Sequence, residues 1–126
     1  MLKMTNPEFN ELCKSMPATS HVVQWGSSDV WKVGGKVFAI GVLGKTGRDA
    51  FTFKTSEANF DFLSGHPGYR PAPYLASRGM KWIQQYDASA SENKELVYYI
   101  EESYRIVSSG LSKKKQKELG LNQETN

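Results

Sequence analysis

The pair Gly34-Gly35, set between two β-rich runs, is the feature that most constrains the fold of this chain. Residues 29–33 (DVWKV) lead into the pair, and residues 36–42 (KVFAIGV) lead out of it. Glycine adopts the positive φ angles of a two-residue turn without steric cost, so this arrangement predicts a tight β-hairpin. The second run is almost wholly apolar, which is typical of a strand buried on both faces, although a buried helix segment gives the same pattern. We therefore place the hairpin at the centre of a predicted sheet.

Three other segments have apolar residues at helical spacing and predict three helices. The first is predicted to start with Asn6 as its cap and to end at Pro17. The second is predicted to start at the cap Ser56 and to end at Gly65. The longest is predicted to start within residues 89–92 and to run to Leu111, and the basic residues after it fit one more helical turn.

Further strands are predicted where β-branched and aromatic residues cluster, at residues 19–25, 50–54 and 80–86. Residues 69–75 contain two prolines, and proline cannot donate to a strand ladder, so this stretch is predicted to be an edge strand or a fixed loop. No linker divides the chain. We predict one domain over residues 1–121, with residues 122–126 as a disordered tail.

The overall composition is that of a globular domain with its own core. The chain has 126 residues, of which 39% are hydrophobic. It has no long apolar run, and its first residues lack the apolar centre of a signal peptide, so we expect neither a membrane span nor a membrane partner. Cys13 is the only cysteine, which favours a reducing, cytoplasmic setting and a plain packing role on the first helix.

Charge is distributed unevenly along the chain, whose net charge is +3. Residues 32–81 hold eight basic and three acidic side chains, whereas residues 82–111 hold two basic and five acidic ones. The segment from residue 112 onward has four lysines against two glutamates. A basic centre and a basic end thus flank an acidic helix, which is compatible with an anionic partner.

Three local motifs, taken in order, resemble those of the MmcQ/YjbR family of small, often bacterial proteins. The first is VWKVGGKVFA at residues 30–39. The second is PGYRPAPYL at residues 67–75, followed by Lys-Trp at 81–82. The third is ESYRIV at residues 102–107, followed by LSKK at 111–114. With their order and spacing, the resemblance extends over roughly residues 5 to 119.

The resemblance implies an α+β domain in the order α-β(3)-α-β(2)-α, with helices packed against a twisted antiparallel sheet, similar to bacterial frataxin (CyaY-like). Family members are often labelled DNA-binding because their hairpins were likened to a double wing, and that label rests largely on analogy of fold. One departure is Ser112, which stands where the family commonly has proline. The resemblance therefore does not determine the residue at which the last helix ends.

Residues 39–46 (AIGVLGKT) nearly match a phosphate-binding P-loop. That motif needs glycine where Ala39 stands, and it must open a helix whose N-terminus faces the phosphate. Here a β-rich run follows instead, so we predict a turn between two strands.

No metal or cofactor site is predicted. His21, His66 and Cys13 lie far apart in the sequence. Frataxin-like folds can bind iron through acidic ridges, but the glutamates of the last helix fit a solvated face better. These are Glu92, Glu95, Glu101 and Glu102. Neither histidine has a nucleophile or carboxylate partner whose position the sequence guarantees, so we predict that the chain is not an enzyme.

Nucleic-acid binding is the leading functional prediction, because basic residues lie on the predicted hairpins and near aromatic rings. The contacts would go mainly to phosphates, with little sequence preference. The predicted contact residues are Lys32, Lys36, Lys45, Arg48, Lys54, Arg70, Arg78, Lys81, Trp82, Lys113, Lys114 and Lys115.

Three alternatives stay open. The lysines can simply keep the domain soluble, with Trp31, Trp82 and Tyr74 packed in the core or at a sheet edge. The chain can instead be a protein-interaction module that uses a sheet edge near residues 71–74 or a groove beside the last helix. A small-molecule site near Trp31 and Trp82 has no distinctive motif behind it.

Overall fold

The computed structural model describes residues 4–24, 28–43, 49–73, 75, 79–87 and 93–123. Four helices and six strands alternate along these residues. In chain order they are α1 (Asn6–Ser15), β1 (Thr19–Gln24), β2 (Ser28–Val33), β3 (Lys36–Leu43), β4 (Asp49–Lys54), α2 (Glu57–Ser64), β5 (Tyr69–Pro71), β6 (Trp82–Gln85), α3 (Asn93–Ser109) and α4 (Lys113–Leu119).

The six strands form one antiparallel sheet in the order β1-β2-β3-β4-β6-β5. This confirms the predicted α+β class. The count of elements differs from the formula that the resemblance implied in two places. Four strands precede α2, because Thr19–Gln24 pairs with β2 along its whole length, as its β-branched pattern predicted. A separate α4 follows α3.

The predicted central hairpin is present. Gly34 and Gly35 have φ angles of 57° and 86°, the positive values that a two-residue turn requires. Their strands β2 and β3 pair from Val33 opposite Lys36 outward, and β3 lies between β2 and β4. β4 then runs antiparallel to β3, with Leu43 opposite Asp49, so residues 44–48 connect two strands. The next element described after β3 is the strand β4, whereas a P-loop must open a helix at this point.

All helices that contact the core lie on one face of the sheet, here called the inner face; the opposite face is called the outer face. Large apolar side chains of the inner face and the helices are fully buried against one another, and each stabilises the fold by roughly 1.5–3 kcal/mol. Phe9 packs on Phe51 with ring centroids 4.9 Å apart, and Phe53 stacks on Tyr99 at 5.9 Å. The largest fully buried residues of this core are Phe9, Phe38, Phe51, Phe53, Leu63, Ile83, Leu96 and Ile100.

The start of α1 corrects a prediction. Thr5, not Asn6, is the cap: its hydroxyl accepts a hydrogen bond from the Glu8 amide, and the Glu8 carboxylate accepts one from the Thr5 amide. The Asn6 side chain instead donates to Asp29 on β2 at 2.6 Å. For α2 the predicted cap Ser56 is confirmed by the hydrogen bond that its hydroxyl accepts from Asn59.

The last helix predicted from the sequence is two helices in the structure. α3 ends at Ser109, and Ser112 then caps α4 by accepting a hydrogen bond from the Lys115 amide. Ser112, the residue that departs from the family pattern, therefore acts as the N-terminal cap of α4. Leu111 and Leu119 lie against Gly34, so α4 packs beside the β2–β3 turn.

Candidate functional site

A row of side chains crosses the outer face of the sheet. The pairing register places Val30, Ile40, Thr52, Gln84 and Arg70 opposite one another on five successive strands. All except Arg70 are buried, although none of the described helices packs on this side. Something other than the helices must therefore cover the middle of the outer face.

The cover comes partly from the connection between β5 and β6. Its described residues Pro73, Leu75 and Met80 form one wall of a cavity of about 690 Å³ whose floor is the outer face. Ala72 fixes the start of this connection by donating a backbone hydrogen bond to Trp82 at 2.9 Å. The floor and the remaining wall are formed by Ser28, Val37, Ile40, Val42, Thr52, Trp82 and Gln84.

Polar groups at the cavity floor are joined in one chain of hydrogen bonds. The Arg70 guanidinium donates twice to the Gln84 side-chain oxygen, at 3.0 and 2.7 Å. The Gln84 amide nitrogen in turn donates to the Thr52 hydroxyl at 3.3 Å. Because Thr52 accepts this bond, its own proton is left for another acceptor. The indole N–H of Trp82 is buried and has no acceptor among the described residues.

Charge on the strands is sorted by face. Lys32, Lys54 and Arg70 alternate to the outer face, since each is paired opposite an outer-face residue. The acidic strand residues Asp29 and Asp49 alternate to the inner face. Among the strand residues that the structure describes, the outer face therefore carries positive charge only.

Exposed aromatic and apolar groups adjoin these cations. Tyr86 is 42% exposed, and the Arg70 guanidinium lies over its ring at 4.9 Å from the centroid. Met80, at the cavity wall, is also 42% exposed. The outer face thus combines cations, an accessible ring and an apolar cavity.

The predicted contact residues separate into four groups. Lys32, Lys54, Arg70 and Trp82 come together on the outer face. Lys36 and Lys81 do not join them: Lys36 pairs with the core residue Val33, and the Lys81 ammonium lies over the Phe60 ring of α2 at 4.8 Å. Lys113, Lys114 and Lys115 are exposed on α4. Lys45, Arg48 and Arg78 lie outside the described residues.

A histidine–carboxylate pair that the sequence did not predict lies on the inner face. The His21 Nε2 atom is 2.7 Å from Asp29, and the His21 ring lies 4.8 Å from the Trp31 ring. Partial burial alone would raise the pKa of Asp29, but hydrogen bonds from Asn6, His21 and Asn10 and the charge of His21 lower it below its usual value. These two side chains are diagonal neighbours because β1 pairs antiparallel with β2. Predicting the pair would have required that strand register.

An exposed aromatic patch lies on the helix side. Phe62 of α2 and Tyr98 of α3 are 58% and 50% exposed. His66 stacks on Phe62 at 5.1 Å and lies 3.8 Å from the Glu95 carboxylate. Burial raises the pKa of Tyr99 beneath the patch, and nearby acidic groups, among them Glu95, raise it further. The patch is therefore aromatic in an acidic setting.

Several other predicted features can be placed. Glu102 accepts two hydrogen bonds from the Asn59 side chain, at 2.9 and 3.0 Å, and Glu101 is exposed, while Glu92 lies outside the described residues. Within the described part of the chain, no three His, Cys, Asp or Glu side chains are grouped to hold a metal ion.

Cys13 is buried, and that burial raises the pKa of its thiol. No described helix is long and apolar enough to cross a membrane.

Comparisons with known proteins agree with this architecture. The family model described as YjbR matches residues 14–106. A crystal structure of a Deinococcus radiodurans protein with a DUF419 domain superposes with a TM-score of 0.83 at 20% identity, covering 98% of this chain and 94% of that one. A Pseudomonas syringae protein superposes with a TM-score of 0.66 at 19% identity, covering 82% of this chain and 99% of that one. No curated protein sequence matches the chain.

Proposed function

Since this chain belongs to the YjbR family, we propose that it is a non-catalytic, monomeric protein of the cytoplasm that binds nucleic acid across the outer face of its sheet. Binding is weak and has little sequence preference, because the contacts go mainly to phosphates. The observation that carries the proposal is the sorting of strand charge, because each charged strand residue that the structure describes on the outer face is a cation.

The spacing of these cations suits an extended polyanion. Lys32 is on β2, Lys54 on β4 and Arg70 on β5, so two strand intervals separate each from the next in the sheet order. Neighbouring strands lie about 4.8 Å apart, which gives steps of about 10 Å across the sheet. A nucleic-acid backbone lying across the strands would meet the cations in turn.

Tyr86 adds a contact that favours unpaired bases. Its exposed ring stands beside Arg70, and aromatic rings next to basic side chains stack on bases without regard to sequence. We therefore expect single-stranded nucleic acid to bind more tightly than duplex. Lys45 and Arg48, in the connection between β3 and β4, are proposed to extend the contact, so Lys45→Ala and Arg48→Ala should each weaken binding to all sequences alike.

The test is fluorescence anisotropy of labelled single- and double-stranded DNA over a salt series. On duplex, affinity should fall with salt at a slope of about −0.9 per phosphate contact. The double variant Lys54→Gln/Arg70→Gln should bind more weakly and lower that slope by about two. Tyr86→Ala should weaken single-strand binding more than duplex binding.

The matched control is Lys14→Gln/Arg105→Gln, which removes one lysine and one arginine from exposed positions on α1 and α3. It carries the same net charge as the outer-face variant. Equal weakening by the two double variants would mean that only net charge matters, and the outer face would lose its role. Negligible binding by the unmodified protein at low salt would reject the proposal as a whole.

A protein-docking role is the second candidate, and the exposed patch of Phe62 and Tyr98 favours it. The alternative edge position is a poor template, since β5 has three residues and one is Pro71. Because Glu95 lies beside the patch and both Glu95 and Glu102 act on Tyr99 beneath it, the fitting partner is a basic peptide segment, whose cations can lie over the rings.

This second candidate is tested by titrating a lysine- and arginine-rich peptide into ¹⁵N-labelled protein. Amide signals of α2 and α3 around the patch should shift, and Phe62→Ser or Tyr98→Ser should reduce the affinity. Tyr86→Ser, an equally large change on the outer face, is the control. Shifts confined to other parts of the molecule would argue against the patch.

A further inference from the structure

We propose that the outer-face cavity is a binding site for a small amphipathic anion, a monocarboxylate with an apolar body of medium length. This inference does not depend on nucleic-acid binding, because it rests on the cavity and its rim rather than on the spread of charge over the whole face.

The size and lining of the cavity fit the apolar part of such a ligand. Its volume of about 690 Å³ lies within the roughly 300–1,000 Å³ of small-molecule sites. Of the ten lining residues that the structure describes, seven are apolar; they are Val37, Ile40, Val42, Pro73, Leu75, Met80 and Trp82. An apolar chain entering this space would bury its surface against branched and aromatic side chains on both the sheet and the β5–β6 connection.

The rim of the cavity carries three cations, and the strand register shows why. Each outer-face cation is the direct cross-strand partner of a lining residue. The pairs are Lys32 with Val37, Lys54 with Trp82, and Arg70 with Gln84. Directly opposite residues have Cβ atoms about 4.5–5.5 Å apart, so each cationic side chain begins at the edge of the cavity.

The floor supplies donors that match carboxylate oxygens. Arg70 is held in place by Gln84, and it retains further N–H groups for an anion. The Thr52 hydroxyl accepts from Gln84 and keeps its proton to donate. Trp82 has a buried indole N–H without an acceptor in the described part of the chain, and a buried unpaired donor of this kind costs about 1–3 kcal/mol. A ligand oxygen beside the indole would supply that acceptor.

The basic residues at the rim determine which charge a ligand in the cavity can carry. No described strand residue on the outer face is acidic, so the rim attracts an anion and repels a cation of the same shape. The carboxylate would lie at the Arg70 and Lys54 side, and the apolar body would extend towards Val42 and Met80. A neutral alcohol of equal length would gain the apolar contact alone.

The test is a ¹⁵N NMR titration with decanoate, below its micelle concentration, compared with decanol and decyltrimethylammonium. Decanoate should shift the Trp82 indole signal and the backbone amides of Ile40, Thr52 and Gln84. Decanol should bind more weakly, and the ammonium compound should not bind. Arg70→Gln should raise the Kd for decanoate about two- to fivefold, the range expected for one solvent-accessible ion pair.

Two variants test the apolar contact. Val42→Trp fills the cavity and should raise the Kd more than tenfold, whereas Val22→Trp, on the outer face but outside the lining, should not change it. Should Val42→Trp fold poorly, Met80→Glu places an acid on a half-exposed wall position. It should weaken decanoate binding more than decanol binding, because both ligands lose an apolar contact but only decanoate is also repelled by the new charge. Equal binding of decanoate and the ammonium compound, or shifts that survive both Val42→Trp and Met80→Glu, would overturn the proposal.

Discussion

Asp29 connects three elements through one carboxylate. It lies on β2, accepts a hydrogen bond from Asn6 on α1 at 2.6 Å, and stands 2.7 Å from His21 on β1. These donors favour the ionised form, so the pKa of Asp29 is lower in the folded state than in the unfolded chain. Its stabilising effect is therefore present above the unfolded pKa of about 4 and is lost as pH falls through the lower folded pKa.

We predict how the substitution Asp29→Asn changes the stability of the fold at different pH values. This variant should be less stable than the unmodified protein at pH 6, because the charge-assisted bonds are weakened. The difference should shrink as the pH is lowered from 5 towards 2, because the native carboxylate becomes protonated over that range. Urea unfolding at a series of pH values measures it. Glu11→Gln, the same neutralisation on an exposed α1 position, is the control, and a constant difference between Asp29→Asn and the unmodified protein would contradict the argument.

Ser103 is a second residue on which several elements depend. Its hydroxyl donates to the Phe38 carbonyl on β3 at 2.6 Å and accepts from the Lys54 amide on β4 at 2.9 Å, and the residue is fully buried. Ser103→Ala leaves both backbone groups without that partner, so it should lower the free energy of unfolding by about 1–3 kcal/mol.

The control for this substitution is Ser64→Ala. In the described part of the chain the Ser64 hydroxyl donates to Phe60 within its own helix, so its loss should cost less than about 1 kcal/mol. Chemical denaturation of both variants gives the comparison. Equal losses would mean that the Ser103 bridge contributes nothing beyond an ordinary local hydrogen bond.

At the level of elements, α4 has an unfavourable arrangement of charge. Its first turn holds Lys113, Lys114 and Lys115 and no acidic residue, although the N-terminus of a helix is the positive end of its dipole. Lys113 also lies four residues before Lys117, a like-charged pair on one face of the helix. The element is held instead by its Ser112 cap, by buried Gln116 and by the contact of Leu119 with the β2–β3 turn.

The substitution Lys113→Glu should therefore stabilise the protein. It places an acid at the positive end of the dipole and creates a Glu–Lys pair four residues apart, for an expected gain of about 0.3–1 kcal/mol. Lys117→Glu is the matched control, with the same net charge and the same two residue types in reverse order. Thermal unfolding should rank Lys113→Glu above Lys117→Glu, and the opposite ranking would show that the dipole does not determine the effect.

Elements that depend on local signals could be predicted from the sequence. The turn at Gly34-Gly35 and the cap of α2 at Ser56 both rest on residues within one turn of each other, and both are present. The cap of α1 was placed one residue too late, because Asn6 has a better partner in Asp29, 23 positions away. The break between α3 and α4 was not predicted, because Ser112 was treated as a departure from the family pattern. Its role as the cap of a separate helix was not considered.

The candidate site depends on contacts that the sequence does not display. Lys54 and Lys81 look alike in the sequence, but the alternation of β6 turns Trp82 to the outer face and Lys81 towards Phe60 on α2. The cavity needs the register of four strands as well as the path of the β5–β6 connection. The pair of His21 and Asp29 needs the register of β1 on β2.

For the whole molecule, the sheet separates two electrostatic environments. The described cations of the outer face lie on one side, and the acidic residues of α2 and α3 lie on the other. Those acidic residues are Glu57, Asp61, Glu95, Glu101 and Glu102. The net charge of +3 is therefore the sum of an outer face whose described strand charges are cations and a helix side that carries both these acidic residues and the lysines of α4. The same sheet has two edges, and they differ in how well they are protected.

The edge strand β5 is short and contains Pro71, whereas β1 has six residues, no proline and no acidic or basic side chain apart from His21. Its Val23 is 57% exposed, so β1 offers an open template on which another strand can pair. Val23→Lys should therefore slow aggregation under mild heating, followed by light scattering at fixed concentration. Ser15→Lys adds the same charge on α1 and should have a smaller effect, because it leaves the edge unchanged. Equal protection by both variants would attribute aggregation to net charge, and the open edge would not be its cause.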